Sequence, residues 1–223
     1  MAKHGKMVGR TLRNLLFGLI AFIVVGNLTI LGANVFARAT YATPPVPELE
    51  GVMNLAAVDD RLWRGAAPTE KGLQELADHG VRTIVDLRAE EGIERDMDLY
   101  ERLGLEFVRI PLRDGQAPRP QQVKKFLSVM RDGKARVFVH CGAGVGRTGT
   151  MAGSYLVSTG KAEVTEALAR NLAVGPPSLE QLSFVAELSK NEVEPPPVAI
   201  TLMSRVIDGP RRIWVNVTNA YNH

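Results

Sequence analysis

One stretch of the chain, residues 137–150, constrains both the fold and the chemistry more than any other. It opens with a short apolar, β-branched run, 137–139, which is typical of a buried strand. A loop with three alternating glycines follows, and after Arg147 the apolar residues take helical spacing. A strand, a glycine-rich loop and a helix N-terminus together predict a nest of backbone N–H groups that binds a tetrahedral dianion such as phosphate.

Two side chains distinguish this loop from other phosphate-binding loops, namely Cys141 at its start and Arg147 six residues later. The N–H dipoles, the helix N-terminus and a fixed guanidinium favour a thiolate, the form of cysteine that attacks phosphorus. Arg147 offers a planar fork for two phosphoryl oxygens, and the Thr148 hydroxyl could donate to the sulfur when Cys141 leaves. The predicted phosphate-binding residues are Gly142, Ala143, Gly144, Val145, Gly146 and Arg147.

The segment His140-Cys141-Gly-Ala-Gly-Val-Gly-Arg147-Thr148-Gly149 resembles the signature of the cysteine-dependent protein tyrosine and dual-specificity phosphatases. The segment 63–68, Trp-Arg-Gly-Ala-Ala-Pro, is similar to one found in small bacterial and plant-fungal dual-specificity enzymes. The resemblance implies an α/β fold with a central, mainly parallel sheet flanked by helices. It also implies phosphate monoester hydrolysis through a phosphocysteine intermediate, with no cofactor or metal, and a supporting role for His140.

A second loop, residues 111–119, is expected to supply a general acid. It follows a predicted strand, 105–110, and precedes a predicted helix, 121–131, and in the resembled family this position carries the mobile general-acid loop. Asp114 is its only carboxylate. The reaction needs one such group, because the leaving oxygen must be protonated and a water must later be deprotonated. The alternative is that Asp114-Gly115 is a turn dipeptide without a catalytic role.

Several polar residues near these loops are predicted to have supporting roles. Asp86 and Arg88 end a predicted strand, 81–87, and are expected to form an ion pair beside the phosphate pocket. Arg64 is expected to make a structural salt bridge. A solvated helix start is predicted for Glu90, Glu91 and Glu94, where acidic residues suit the helix dipole. Gln181 is a candidate water-orienting residue on position alone.

The N-terminal region contains an uncharged, apolar run between Arg13 and Arg38. Residues 15–35 would form a helix of about 32 Å, long enough to cross a bilayer core. A single-pass anchor over 15–37 is therefore predicted, with a buried core helix and a cleaved signal peptide ending at Ala37-Arg38-Ala39 as the alternatives. Four basic residues precede the run, which places the N-terminus in the cytoplasm and the catalytic domain across the membrane.

The predicted organisation is a basic arm (1–14), the anchor (15–37), a proline-rich linker (38–49), a phosphatase domain (50–194) and a C-terminal tail (195–223). The tail is expected to lie along the membrane, to pack on the domain or to be disordered. No acidic residue precedes Glu48, so the net charge of +3 comes from the arm and does not indicate a nucleic-acid-binding surface. A single cysteine excludes an internal disulfide, and with four histidines a zinc site is not expected.

The expected substrate is a phosphorylated protein or a small phosphate ester. Family members that act on inositol phosphates usually carry lysines in the loop, whereas residues 142–146 are uncharged here, which favours phosphoprotein. The short domain favours dual specificity, with phosphotyrosine joined by phosphoserine or phosphothreonine. The alternatives are an inositol phosphate or phosphoinositide phosphatase, a phosphate-binding module without turnover and a rhodanese-like sulfur transferase.

Overall fold

A central sheet with helices on both faces forms the main body of the chain. The computed structural model describes residues 2–41, 44–90, 96–189 and 193–221, with side chains described between residues 10 and 210 of these ranges. The strands are β1 (Ala56–Ala57), β2 (Leu62–Gly65), β3 (Val81–Arg88), β4 (Glu106–Leu112) and β5 (Arg136–His140). The helices are α1 (Ala2–Thr40), α2 (Glu70–Asp78), α3 (Met97–Arg102), α4 (Pro120–Asp132), α5 (Gly146–Ser158), α6 (Val164–Val174), α7 (Leu179–Ala186) and α8 (Val198–Tyr221).

The sheet has the strand order β1-β2-β5-β3-β4, and only the short β1 runs antiparallel to its neighbour. The predicted α/β fold with a mainly parallel central sheet is therefore confirmed. The strands β3, β4 and β5 all end at the same edge, because they are parallel. The segments that follow them, which include Glu90, Asp114 and Cys141, are thereby brought together at that edge.

The central strand β5 shows how both faces of the sheet are buried. Val137 and Val139 pack with Phe126 and Met151 in one apolar cluster, whereas Phe138 packs in a second cluster on the other face. This alternation follows from the two-residue period of a strand, and it explains why the sequence here is a continuous apolar run. Strand β5 is therefore packed against apolar side chains on both of its faces.

Helix α1 is continuous from Ala2 to Thr40, through the predicted arm and anchor and into the predicted linker. Its segment Arg10–Thr40 is long and apolar enough to cross a membrane, with a mean hydropathy of 2.4 in its 18-residue window, and no second helix in the described residues meets that test. Most of its large apolar side chains, such as Leu16 and Val25, are exposed.

The polar residues of α1 contact the rest of the domain. Asn34 donates to the Leu172 carbonyl near the end of α6, and Arg38 donates to the carbonyls of Ala173 at 3.0 Å and Val174 at 2.9 Å. Asn27, two turns before Asn34, donates from Nδ2 to the Ile207 carbonyl of α8 at 2.9 Å. The two amides that interrupt the apolar run thus lie on the face of α1 that packs on the domain.

Two helices differ in extent from the sequence-based prediction. The pattern of apolar residues predicts helices over residues 161–173 and 179–189, whereas α6 begins at Val164, three residues later, and α7 ends at Ala186. The tail forms α8, which packs against α7 and α1, so of the three predicted arrangements the packed one is observed in the described residues. The predicted helix start at Glu91 and Glu94 lies outside the described residues.

Candidate active site

Cys141 directly follows β5 and is almost fully buried. Its sulfur accepts a hydrogen bond from the Gly144 N–H at 3.3 Å, across the loop that we call the cysteine loop (residues 141–147). Gly144 has a φ of +75°, and a Cβ there would lie 2.3 Å from the Gly65 carbonyl carbon. Glycine is therefore the residue that this position accepts without strain or collision.

Four successive carbonyls of the cysteine loop are held from outside. The Ala67 N–H donates to Gly142 O at 3.0 Å, and Asn54 Nδ2 donates to Ala143 O at 2.9 Å. Arg64 Nη2 donates to the next two carbonyls, those of residues 144 and 145, at 2.8 and 3.0 Å. The N–H of each peptide points opposite to its carbonyl, so the N–H groups of residues 143–146 turn toward the loop interior. This arrangement forms the predicted anion nest.

Arg64 makes no salt bridge in the described residues, so that expectation was wrong. Its buried guanidinium bonds the loop carbonyls and lies 3.5 Å from Asn171 Oδ1. Burial lowers the pKa of Arg64 to about 10, with the negative charge of Cys141 acting in the opposite direction, so Arg64 stays charged at neutral pH. Asn171 in turn requires a glycine beside it, because a Cβ at Gly149 would lie 1.6 Å from Asn171 Oδ1.

Arg147 lies in the first turn of α5 and is 4% exposed. Its Nη1 donates to both oxygens of Glu90 at 2.8 Å and to Leu112 O at 3.2 Å. Its Nε makes no hydrogen bond within the described residues, and a Cβ on Gly142 would lie 3.7 Å from Nη2. Nη1 is thus anchored, whereas Nε is approached by the carboxylate of Asp114, whose Oδ1 lies 3.4 Å away. A phosphoryl group that placed two oxygens on the Nε–Nη2 edge would replace this contact.

Glu90 is not simply a solvated helix residue, as its position suggested, because its carboxylate holds Arg147. Burial tends to raise the pKa of Glu90, but the hydrogen bond and charge of Arg147 outweigh it and hold the pKa below its usual value. For Arg147, burial acts to lower the pKa, and its bond to Glu90 with the nearby charges of Cys141 and Asp114 raises it above the ordinary value. The pair therefore stays ionised around neutral pH.

Asp114 follows β4 in a turn completed by Gly115, which has a φ of +67°. Its side chain is 56% exposed, and Oδ1 lies 3.4 Å from Arg147 Nε. The structure therefore brings the predicted acid to the open side of the cysteine loop. An exposed carboxylate beside the phosphate position can approach a leaving oxygen that projects from the pocket.

Asp86 and Arg88 form the predicted ion pair. Arg88 donates to the buried Asp86 carboxylate from its backbone N–H at 2.8 Å and from Nε and Nη2 at 3.0 Å. Burial would raise the pKa of Asp86, but the bonds from Arg88 and the nearby His140 imidazole lower it to about 2. His140 is Asp86's partner in the β3–β5 register, which makes this pair a rigid support behind Cys141.

Two other predicted residues lie against the cysteine loop. The Thr148 hydroxyl is fully buried and has no hydrogen-bond partner within the described residues. Gln181 is buried where a Cβ on Gly146 would come within 2.2 Å of its Oε1, and its Nε2 donates to Gln116 O at 3.3 Å. Gln181 therefore lies between the cysteine loop and the loop of Asp114, and its amide is already engaged in holding the latter.

Sequence reasoning missed Asn54, Asn171 and the role of Glu90. Asn54 binds a carbonyl 89 residues away, and Glu90 binds a guanidinium 57 residues away. Neither belongs to a local motif with recognisable spacing. The one usable signal was the strand order, because Glu90 follows a strand that ends at the edge where the cysteine loop lies.

A buried cysteine in a loop of inward-turned amides, with an arginine beside it at the carboxyl edge of a mainly parallel sheet, is the arrangement expected of a cysteine-dependent phosphatase. The comparisons agree with this class: residues 45–187 match the family model of a DSP-PTPase phosphatase fused to NAD+ kinase. That match covers more than half of the chain. The chain therefore belongs to this dual-specificity phosphatase family.

The relatives confirm the enzyme class, and the matched segment is less than a quarter of the length of either curated protein described below. The chain is 34% identical over 139 residues to "NAD kinase 2, chloroplastic" of Arabidopsis thaliana, a match covering 59% of this chain and 13% of that protein. It is 29% identical over 100 residues to human "Dual specificity protein phosphatase CDC14C", covering 45% and 22% respectively. The active form of Tk-PTP has the same fold, with a TM-score of 0.51, 24% identity and coverage of 65% of this chain and 99% of that one.

Proposed function

We propose that this chain hydrolyses phosphate monoesters, phosphotyrosine foremost and phosphoserine or phosphothreonine as well, through a phosphocysteine intermediate. The observation that carries the proposal is the set of four loop carbonyls held outward by Ala67, Asn54 and Arg64. The peptide N–H groups on the opposite side surround the position above Cys141 Sγ. A phosphoryl group there would meet amide donors on one side and the Nε–Nη2 edge of Arg147 on the other, in place of the Asp114 carboxylate that lies 3.4 Å from Nε.

In the first step, the Cys141 thiolate attacks phosphorus opposite the leaving oxygen. The S–P bond forms while the P–O bond breaks, and the loop amides and Arg147 stabilise the charge on the three equatorial oxygens. Asp114, entering this step protonated, gives its proton to the leaving oxygen. The alcohol departs and the enzyme is left as the phosphocysteine with Asp114 ionised.

In the second step, water attacks the phosphocysteine. Asp114 accepts a proton from that water, the new P–O bond forms and the S–P bond breaks, releasing inorganic phosphate. The departing sulfur needs a hydrogen-bond donor, and the buried Thr148 hydroxyl, unpartnered in the described residues, is our candidate. Cys141 returns to the thiolate and Asp114 to the acid, so the cycle closes without a cofactor.

The substrate preference rests on the chemistry of the cysteine loop. Its side chains at residues 142–146 carry no charge, so the nest provides for one phosphoryl group and offers no additional cations for a polyphosphorylated ring. A panel of a phosphotyrosine peptide, the matching phosphoserine peptide and a soluble inositol polyphosphate tests this. We expect the highest kcat/KM for the first, and a preference for the inositol compound would contradict the assignment.

Asp114→Asn tests the mechanism. We expect kcat for phenyl phosphate to fall about 100-fold, because proton transfer by a positioned carboxyl contributes at least that much. The decline of rate at high pH, which reports deprotonation of the acid, should disappear in the variant. The measurement is the pH profile of kcat from pH 4 to 9.

Asp132→Asn provides a matched control, since Asp132-Gly133 is also an Asp-Gly pair but is exposed at the end of α4. Its pH profile should overlay that of the wild type. A high-pH decline that persists in Asp114→Asn would show that another group is the acid.

We further infer that α1 anchors the chain in a membrane as a single pass through residues 15–37, with its N-terminus cytoplasmic. The exposed apolar surface of the helix and the four basic residues before it support this. Because Arg38 also binds the end of α6, the catalytic domain would lie close against the bilayer.

The anchor is tested with tags at both termini. We expect the full chain to resist alkaline extraction and to retain its N-terminal tag, which a cleaved signal peptide would lose. In sealed inverted vesicles, whose cytoplasmic face is outside, added protease should remove the N-terminal tag and spare the C-terminal one. The reverse protection pattern would overturn the orientation.

A further inference from the structure

The first three N–H groups of helix α7 all donate to side chains, and two of these side chains belong to another helix. The first N–H groups of a helix lack intrahelical partners. Here the Leu179 N–H donates to Asp208 Oδ2 at 3.3 Å, and the Glu180 N–H donates to Ser204 Oγ at 3.0 Å. The Gln181 N–H donates to Ser178 Oγ, the N-cap of α7, at 3.1 Å. Two of these three partners belong to α8.

Ser204 and Asp208 are themselves joined into one unit. The Ser204 hydroxyl donates to Asp208 Oδ2 at 2.6 Å, one helical turn along α8, and both side chains are buried. A carboxylate at a helix N-terminus is favoured by the helix dipole. The pair therefore fixes where α7 starts and how it is oriented.

The start of α7 holds the loop that carries Asp114. The Ser178 hydroxyl donates to Gly115 O at 2.8 Å, Gln181 Nε2 donates to Gln116 O at 3.3 Å, and the Ala117 N–H donates to Glu180 Oε1 at 2.9 Å. Three consecutive residues after Asp114 are thus bound by three residues of one helical turn. A displacement of that turn would move the backbone that follows Asp114, and with it the Asp114 carboxylate.

We propose that Ser204 and Asp208 of α8 are positioning residues for the general acid, acting through the first turn of α7. Both lie outside the family match at residues 45–187, so they are a feature of this chain's own C-terminal helix. The inference rests on the proposed role of Asp114. It assigns the C-terminal helix a task in proton transfer, in addition to packing.

The test compares two aryl phosphates that differ in their need for an acid. Phenyl phosphate has a poor leaving group that must be protonated, whereas 2,4-dinitrophenyl phosphate has a good one that departs unaided. The quantity measured is the ratio of the two kcat/KM values in the full-length chain, because kcat/KM reports formation of the phosphocysteine and excludes its hydrolysis, in which Asp114 acts for both esters. That ratio is independent of the fraction of folded enzyme, so loss of stability alone does not change it.

We expect Ser204→Ala and Asp208→Asn each to lower the phenyl-to-dinitrophenyl ratio roughly 10-fold, since misplacing a catalytic group by a fraction of an ångström has effects of this order. Ser183→Ala is the matched control, because Ser183 lies on α7 but bonds the exposed Glu187 at 2.9 Å. Its ratio should equal that of the wild type.

Asp114→Asn separates failure of this inference from failure of the proposed function. If Asp114→Asn lowers the ratio and both α8 variants leave it unchanged, the positioning role is wrong and the acid assignment stands. If Asp114→Asn itself leaves the ratio unchanged, Asp114 is not the acid and the inference is overturned with it. A lowered ratio in Asp114→Asn and in both α8 variants, with Ser183→Ala unchanged, supports the proposal.

Discussion

Replacing Cys141 by serine is expected to lower kcat for any phosphate monoester by at least about 10⁴-fold while leaving phosphate-ester binding measurable. A serine hydroxyl is not ionised at neutral pH and is a poor nucleophile without an adjacent base. The described residues around Sγ supply a hydrogen bond from the Gly144 N–H but no such base. The amide nest and Arg147 do not depend on the sulfur for their anchors, so the pocket should persist.

The measurement pairs turnover of an aryl phosphate with calorimetric binding of a phosphotyrosine peptide to the same protein. Turnover by Cys141→Ser within tenfold of the wild type would contradict the thiolate mechanism. If the wild type bound the peptide but turned over no ester, a phosphate-binding module would be the better description. A thiosulfate sulfur-transfer assay on the wild type tests whether the chain is instead a rhodanese-like sulfur transferase.

The catalytic core could be predicted from the sequence because its determinants are local. The nest needs a strand, small residues and a helix start within about a dozen positions, and Cys141 and Arg147 are separated by one loop. The position of Asp114 was also predictable, because it follows the neighbouring strand in a parallel sheet and is the only carboxylate of its loop. Its role as acid remains a proposal.

The residues that shape the nest could not be predicted in the same way. Arg64 was interpreted as a salt-bridge residue in preference to a residue that contacts the substrate. Its actual partners are backbone carbonyls 80 and 81 residues away, and no side-chain pattern encodes a carbonyl acceptor. Glu90 was interpreted as a solvated helix residue, because its partner Arg147 lies 57 residues further along the chain.

The packing of the two terminal helices, α1 and α8, could not be predicted from the sequence for a different reason. The tail mixes apolar residues with arginines, a pattern compatible with a membrane surface, with the domain surface and with disorder. What decided the packing were small polar residues, Ser204 and Asp208, that bond the start of α7. In α1 the polar residues Asn27 and Asn34 interrupt the apolar run, and their side chains contact the domain.

Arg147→Lys is expected to lower kcat about 10²–10³-fold, equivalent to about 3–4 kcal/mol of transition-state stabilisation. In the structure, Nη1 is bound by Glu90 and the Leu112 carbonyl, and the Nε–Nη2 edge, which the Asp114 carboxylate approaches to 3.4 Å, can instead take phosphoryl oxygens. A lysine ammonium drawn to Glu90 cannot also present a second planar edge to the phosphate. The loss should therefore fall mainly on kcat, where the charge on the transferring group is greatest.

Kinetics of three variants on one aryl phosphate distinguish the contribution of the planar Arg147 guanidinium from that of its positive charge alone. Arg102→Lys, an exposed arginine 3.7 Å from Asp96, is the matched control and should behave as the wild type. Glu90→Gln should lower kcat less than Arg147→Lys, because the Leu112 carbonyl still holds Nη1 at 3.2 Å. If Arg147→Lys loses no more than the control, positive charge alone suffices and the planar fork is unnecessary. If Glu90→Gln loses as much as Arg147→Lys, orientation by Glu90 contributes as much as the guanidinium itself.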